Sequence, residues 1–358
     1  MNQPFKGLKV VELAAVLAGP AVGTFFAELG ATVLKIENKS TNGDVTRSWR
    51  LSNESIDNPV SAYYSAVNYG KESLQLDLKE NTDINLVLNK IKNADILISN
   101  FKKGDDLKYG LDYETLKKLN PRLIYASING FGVDSNKVAF DVVLQAETGM
   151  MSMNGNDENL PVKMPIAFID LFAAHQLKEG ILVALIQRGI TGKGAEVSVS
   201  LYDAALASLA NQATNYLMND HIPKPMGSLH PNIAPYGEIV TSKDGIKYVL
   251  AVGNNRQFQE LCKQLKRPDL LTNELYTNNQ RRVQNREKLH LELKETFKAL
   301  EGETIYQQLI TSNVPIGMIK NLQEVFEDKQ AQRLILEEEI EGMKTKRVAT
   351  AIFKITEA

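Results

Sequence analysis

A single cysteine, Cys262, stands among the 358 residues of this chain, which excludes an intramolecular disulfide and any cysteine-based zinc site. Histidine is nearly as scarce. His175, His221, His230 and His290 are scattered and never take the His-x-x-x-His spacing of a helical metal site, so no metal is expected. Neither sign of charge dominates: 41 Lys plus Arg stand against 43 acids. That balance provides no basic surface for nucleic acid and no polybasic patch for a membrane. No apolar run approaches the roughly 18 residues of a membrane span. The N-terminus starts polar, with Asn2, Gln3 and Lys6, and lacks the apolar core of a signal peptide. What remains, 43% hydrophobic and 23% charged residues, describes a globular chain with room for two domains and an expected cytoplasmic residence.

The first half alternates in hydrophobic period. Strands are expected at 8–14, 32–37, 74–78, 95–99, 122–128 and 196–200. Helices are expected at 21–29, 84–91, 113–119, 140–150, 171–188 and 202–218. Strands and helices interleaved in this way imply an α/β fold, a doubly wound, mostly parallel, Rossmann-like sheet. Near Pro223 the pattern changes: Pro223, Pro225, Gly227, Pro231 and Pro235 mark a domain crossing. Beyond it Ser242-Lys243-Asp244-Gly245 separates two apolar runs as in a hairpin, followed by helices at 257–265 and 284–300. A helix at 328–334 and a strand pair at 335–340 and 347–355 close the chain. The expected division is a large domain over 1–222, a smaller α+β domain over 223–328, and a return to the large domain over 329–358.

Two acids invite a functional reading. Glu37 ends the second strand about 20 residues after a glycine-containing turn, as in dehydrogenases that hold a ribose hydroxyl. The turn, however, reads Ala18-Gly19-Pro20-Ala21-Val22-Gly23, and Pro20 has no N–H to offer a pyrophosphate. The helix start there could still accept a different anion. Asp170 is a lone carboxylate at the end of the apolar run Met164-Pro165-Ile166-Ala167-Phe168-Ile169, just before the helix at 171–188. Such an acid serves either as a helix N-cap or as a reactive group.

The company of Asp170 along the chain favours the second role. Upstream lie Val10-Val11-Glu12-Leu13, Leu17-Ala18-Gly19-Pro20, Asn100-Phe101, Ile124-Tyr125-Ala126-Ser127-Ile128-Asn129-Gly130-Phe131-Gly132, Asp141 and Gln145-Ala146-Glu147-Thr148-Gly149-Met150. Downstream come Arg188-Gly189-Ile190-Thr191-Gly192-Lys193-Gly194, Ser200-Leu201-Tyr202-Asp203-Ala204 and Ala251-Val252-Gly253-Asn254-Asn255-Arg256. In this order and spacing the set resembles class III CoA-transferases, the family of formyl-CoA transferase, carnitine CoA-transferase and alpha-methylacyl-CoA racemase. The resemblance runs from about Gly7 to about Arg333.

The resemblance implies a reaction in which Asp170 forms an anhydride with the acyl group and then a thioester with CoA. Asp141 takes the family's second acidic position, and backbone N–H groups around Val16, Leu17 and Ala18 steady the thioester oxygen. CoA, as substrate rather than resident cofactor, is expected near Lys39, Lys71, Asn100, Phe101, Lys102, Lys103 and Lys108. Many relatives read Asn-Phe-Arg-Pro-Gly where this chain has Asn100-Phe101-Lys102-Lys103-Gly104, so Lys102 supplies charge without the fork of arginine. Acyl-CoA and free carboxylic acids are the expected small-molecule partners, and an interlocked homodimer the expected assembly. Many relatives continue beyond the position of Ala358 with a segment that packs on the large domain. Formyl-CoA transferase has glutamine in place of Leu17, and a glycine run where this chain reads Val252-Gly253-Asn254-Asn255. Both departures point away from formyl or oxalyl substrates. The racemases carry a histidine where this chain has Phe140, so a racemase would lack its base here; a racemase-like epimerase, or a CoA-binding protein without transferase activity, stands as the alternative.

Overall fold

A computed structural model describes residues 3–356. The chain divides into two compact units. The larger contains the chain up to Ser152, Val162–Pro223 and the stretch from Gln330 onward. The smaller contains Met153–Pro161 and Lys224–Lys329.

Six parallel strands form the sheet of the larger unit: β1 (Lys9–Leu13), β2 (Thr32–Asn38), β3 (Lys71–Leu76), β4 (Ile96–Ser99), β5 (Ile124–Asn129) and β6 (Ala195–Ser200). Their order is β3-β2-β1-β4-β5-β6, so the direction of winding reverses between β1 and β4. This is the expected α/β architecture, and crevices at the carboxyl ends beside such a reversal are where these sheets bind ligands. All four residues of β4 are buried, as a strand covered on both faces requires, whereas the edge strands β3 and β6 carry exposed positions.

The helices follow from the sheet. They are α1 (Ala18–Glu28), α2 (Ala62–Ala66), α3 (Asn81–Ile91), α4 (Asp105–Tyr109), α5 (Tyr113–Leu119), α6 (Asp141–Glu147), α7 (Met150–Met153), α8 (Phe168–Thr191), α9 (Leu201–Ala207) and α10 (Ala210–Asn219). Val87, Ile91 and Leu116 of α3 and α5 pack on the face carrying Val11, Leu97 and Tyr125. On the opposite face α1 lies against α8. The close approach of these two helices to the sheet needs glycine: a Cβ on Gly19 would collide with Ala14 just past the end of β1, and one on Gly180 with Val197 of β6. Among the described residues no helix is long and apolar enough to cross a membrane.

The smaller unit holds an antiparallel sheet of β7 (Tyr236–Thr241), β8 (Lys247–Ala251) and β9 (Ile316–Met318). Helices α11 (Asn255–Gln264), α12 (Pro268–Thr272), α13 (Asn279–Gln284), α14 (Arg286–Phe297), α15 (Gly302–Thr311) and α16 (Leu322–Phe326) complete it. Tyr248, Leu250, Phe258, Leu261, Leu293, Phe297 and Leu309 form its core. The chain then enters α17 (Lys329–Gln332) and the hairpin of β10 (Ile335–Ile340) and β11 (Met343–Val348). That hairpin is clipped to the larger unit. β11 lies against α2, Arg47 pairs with Glu341, Gly70 N donates to Glu338, and Arg347 pairs with Glu28.

Several elements differ from expectation. The last strand is Met343–Val348 rather than 347–355, because Glu341 and Gly342 both take positive φ and turn the chain in two residues. The single helix expected over 202–218 is two, α9 and α10, with Ala210 at φ 45° between them. The helix at 140–150 breaks at Gly149, φ 82°. The helix expected from 171 begins at Phe168, which places Asp170 inside its first turn.

Candidate active site

The turn from β1 to α1 is held by side chains from three directions. Asn100 pins Ala15 on both sides: Ala15 N donates to its Oδ1 at 3.1 Å, and its Nδ2 donates to Ala15 O at 2.9 Å. Val16 sits at φ 74°, a left-handed conformation rare for a β-branched residue and costing on the order of 1–3 kcal/mol. Its N–H donates to the Asp44 carboxylate at 3.2 Å. Lys35 Nζ donates to Ala14 O at 2.8 Å and to Glu12 Oε1 at 2.9 Å, and lies 3.0 Å from Asp44 Oδ2. Burial alone would lower the Lys35 pKa, but Glu12 and Asp44 outweigh it and hold the amine above its ordinary value.

The turn therefore uses the N–H groups of Ala15 and Val16 internally. Leu17 caps α1 without a side-chain bond, and the N–H groups of Ala18 and Gly19 have no partner among the described residues. Of the three expected donors Val16, Leu17 and Ala18, Ala18 is free at a helix N-terminus, whereas Val16 is committed to Asp44.

Lys71 requires a correction. Its ammonium is enclosed, donating to Glu12 Oε2 at 2.8 Å, Val67 O at 2.7 Å and Pro20 O at 2.8 Å. Burial brings its pKa down to about 8 despite the charge of Glu12. No proton is left for a phosphate, so Lys71 is an internal strut. Glu37 is likewise consumed. It accepts from Arg47 Nε at 2.7 Å, Tyr64 Oη at 2.6 Å and Asp44 N at 2.7 Å, which removes the acid a ribose would need. Burial opposes its ionisation, but these donors keep it below the usual carboxylate range.

A cavity of about 360 Å³ opens at the carboxyl ends of β1, β2 and β3. Leu76, Leu78, Phe101 and Tyr109 give it apolar and aromatic walls, and Ser40 and Thr41 bring hydroxyls. The Phe101 and Tyr109 rings lie 6.4 Å apart, and Lys108 Nζ sits 5.3 Å from the Tyr109 ring centre. Lys39 is exposed on the turn between Asn38 and Ser40, which both line the cavity. Lys102 and Lys103 are exposed, the latter donating to Asp134 O at 2.8 Å. Lys79 and Tyr109 also line this cavity and were not singled out from sequence. Only their place at strand and helix ends identifies them.

Asp170 lies at the start of α8 and is 8% exposed. It is not the cap of that helix. Ala167 occupies the cap position without a side-chain bond, and Asp141 reaches across instead, its Oδ2 accepting from Ile169 N at 2.8 Å and Asp170 N at 3.3 Å. Asp141 Oδ1 accepts from Gln145 Nε2, while Gln145 Oε1 accepts from Met164 N at 2.7 Å. Asp141 thus has N–H donors on both oxygens. Among the described residues no side chain donates to the Asp170 carboxylate and no cation pairs with it. Burial first, and the charge of Asp141 second, push its pKa up to about 7.

Two neighbours have no role assigned from sequence. Tyr63 is half-buried, 5.2 Å from Trp49 ring to ring, and burial raises its pKa together with the charges of Asp170, Asp141 and Asp44. One phenol thus lies within the field of both acids and of the β1–α1 turn. Gln145 is the other. By contrast His175, five residues beyond Asp170, is exposed as a residue, and its pKa is lowered by the partial burial of its ring first and by Lys178 second, with Glu179 opposing. Phe140 occupies the cap position of α6 and has no titratable group to offer. Among the described residues no cluster of His, Cys, Asp and Glu could hold a metal ion.

Known proteins bear on this arrangement. The sequence pattern of CoA-transferase family III matches residues 5–357. Succinate–glutarate CoA-transferase of Agrobacterium fabrum (strain C58) is 38% identical over 345 residues, 95% of this chain and 86% of that protein. Succinyl-CoA:glutarate CoA-transferase of Homo sapiens is 34% identical over 332 residues, 92% of this chain and 74% of that protein. The crystal structure of a CaiB/BaiF family protein from Brucella suis superposes with a TM-score of 0.82 at 38% identity, over 99% of this chain and 93% of that one.

Proposed function

The chain belongs to CoA-transferase family III and is a CoA-transferase, and we propose that it works through a covalent bond to Asp170, with dicarboxylic acids as donor and acceptor. The observation that carries the mechanism is the Asp170 carboxylate, buried, without a cation, beside a second acid, and half ionised near neutral pH. The choice of dicarboxylates rests on the succinate–glutarate transferases to which the chain is similar.

In the proposed sequence the Asp170 carboxylate attacks the thioester carbonyl. The C–S bond breaks, CoA leaves as thiolate, and a mixed anhydride forms. The thiolate then attacks the aspartyl carbonyl, giving an aspartyl-CoA thioester and releasing the donor acid. The acceptor carboxylate reverses these steps. Asp141 favours the first step, because acylation removes the charge of Asp170 and so the repulsion between the two acids. The free N–H groups of Ala18 and Gly19, on a helix packed against α8, supply donors for the thioester oxygen. The cavity at the strand ends takes the adenosine end of CoA. Phe101 and Tyr109 offer apolar rings, and Lys39, Lys79, Lys103 and Lys108 the positive charge its phosphates need.

An interlocked homodimer fits the surface. Val183, Ile186 and Ile190 stand exposed at spacings of three and four along α8, a stripe that a second copy would cover.

Trapping tests the covalent step. Incubation with succinyl-CoA and hydroxylamine should convert Asp170 alone to its hydroxamate, read by peptide mass, with a yield that rises with pH as the carboxylate ionises near 7. Succinyl-CoA turnover with Asp170 unmodified would remove the covalent route. A second measurement separates transfer from epimerisation. With Phe140 and the exposed His175 offering no base, 2-methylacyl-CoA in heavy water should take up no deuterium at the α-carbon. Rapid α-deuteration without CoA exchange would restore the racemase reading.

A further inference from the structure

Gln145 has no part in the chemistry described so far, yet it is among the most enclosed polar side chains near the nucleophile, 1% exposed. Both ends of its amide are used, and by different partners. Nε2 donates to Asp141 Oδ1 one turn back on α6, and Oε1 accepts from Met164 N in the segment that leads into α8. Asp141 in turn receives the first N–H groups of α8 on its other oxygen. The result is a closed path from the entry of the nucleophile helix, through Gln145 and Asp141, back to the backbone of Asp170 itself. An apolar residue would fill the same volume without completing that path.

We propose that Gln145 is a positioning residue for the transfer reaction, fixing Asp141 as a charged cap on the first turn of α8 and thereby the setting of Asp170. The inference rests on the assignment of Asp170 as nucleophile. An amide suits this place because it donates to one carboxylate oxygen and cannot itself ionise, so its own hydrogen bonds to Asp141 and Met164 do not change with pH. The titratable and charged groups on the elements packed against α6 are Asp170, His175, Lys178, Glu179 and Arg188 on α8, and Tyr202 and Asp203 on α9. Tyr63 reaches the same region from α2. Glu147 of α6 itself is paired with Lys137. Asp170 and Tyr63 feel the charge of Asp141.

Two replacements distinguish positioning from packing. Gln145→Met keeps the volume and removes both hydrogen bonds. Gln145→Glu keeps both while its carboxyl is protonated, since the O–H donates to Asp141 and the carbonyl oxygen accepts from Met164 N. Once ionised, it sets a second negative charge against Asp141. CoA transfer from succinyl-CoA to glutarate is measured from pH 6 to pH 9 for both variants, wild type and Asp170→Ala. For Gln145→Met, kcat should fall by about 10²-fold, the usual cost of a misplaced reacting group, with KM for succinyl-CoA little changed. For Gln145→Glu, the ratio to wild type should be near one at the acid end and fall by about tenfold or more toward pH 9, a limb the wild type lacks. The change of that ratio with pH is a property of the folded Gln145→Glu variant and not of how much of it folds, so it decides the matter even where Gln145→Met does not fold. A ratio flat with pH, or wild-type kcat in Gln145→Met, overturns the inference. Transfer by Asp170→Ala overturns the nucleophile and this inference together. An inactive Asp170→Ala beside unaltered Gln145 variants overturns this inference alone.

Discussion

Asp170→Ala should lose CoA exchange by on the order of 10⁴-fold or more while binding CoA as tightly as the wild type, because in the proposed mechanism this carboxylate forms the bond to the acyl group, whereas the cavity at the strand ends is built from other residues. Exchange of labelled succinate into succinyl-CoA measures the first property and equilibrium dialysis of CoA the second. A variant that keeps most of its rate removes the covalent mechanism. The isosteric change Asp170→Asn has a second consequence, for stability. The carboxyl has its pKa raised from 3.8 in the unfolded chain to about 7 in the folded one, so the folded state holds the proton longer. Stability is therefore greatest at acid pH for this group and declines as pH rises from about 4 to about 7, by on the order of 3 kcal/mol. Asparagine carries no such cost. Asp170→Asn should match the wild type near pH 4 and be the more stable protein above pH 7, as denaturant unfolding at the two pH values will show. Equal stability at both would mean that Asp170 ionises freely.

The second large effect falls on the fold. Lys35→Met removes a buried ammonium and leaves Asp44 and the Ala14 carbonyl without it, and Glu12 with Lys71 alone. Breaking a buried pair from one side typically costs about 3–5 kcal/mol, since the remaining charge stays in the interior without compensation. The loss should appear as a lower unfolding midpoint in urea. Activity should fall further than stability accounts for, because Lys35 and Asp44 also hold the strained turn at Val16. A change under about 1 kcal/mol would show that water or Lys71 replaces the missing amine.

How far the sequence led depends on the range of the interactions. The parallel sheet could be read because apolar strands and amphipathic helices declare themselves within ten or fifteen residues. Asp170 could be found because it interrupts an apolar run. Its relation to Asp141 could not be found: a carboxylate on α6 capping a helix 28 positions later is a tertiary event with no local signature. Gln145 stands in the same position, since its amide is meaningful only with Met164 beside it. Lys71 misled for the same reason in reverse. A lysine near a strand start looks like a solvated cation until Glu12 of another strand encloses it. The closing hairpin was misplaced because the apolar residues after Val348 looked like strand, while Glu341-Gly342 carries the turn without the Asn-Gly or Asp-Gly signal.

The clip formed by β10 and β11 has a consequence for how the protein is made. Arg47, Gly70 and Glu28 meet their partners Glu341, Glu338 and Arg347, which lie 294, 268 and 319 positions later. At about 5–20 residues per second, a ribosome that has finished β6 needs on the order of ten seconds more before that hairpin leaves the exit tunnel. Lys224–Lys329 of the smaller unit, which encloses its own core, emerges complete within that interval. The nascent chain thus carries a finished inner domain while the outer one still waits for its last strands, and during those seconds α2 and the rim of the sheet are open to chaperones.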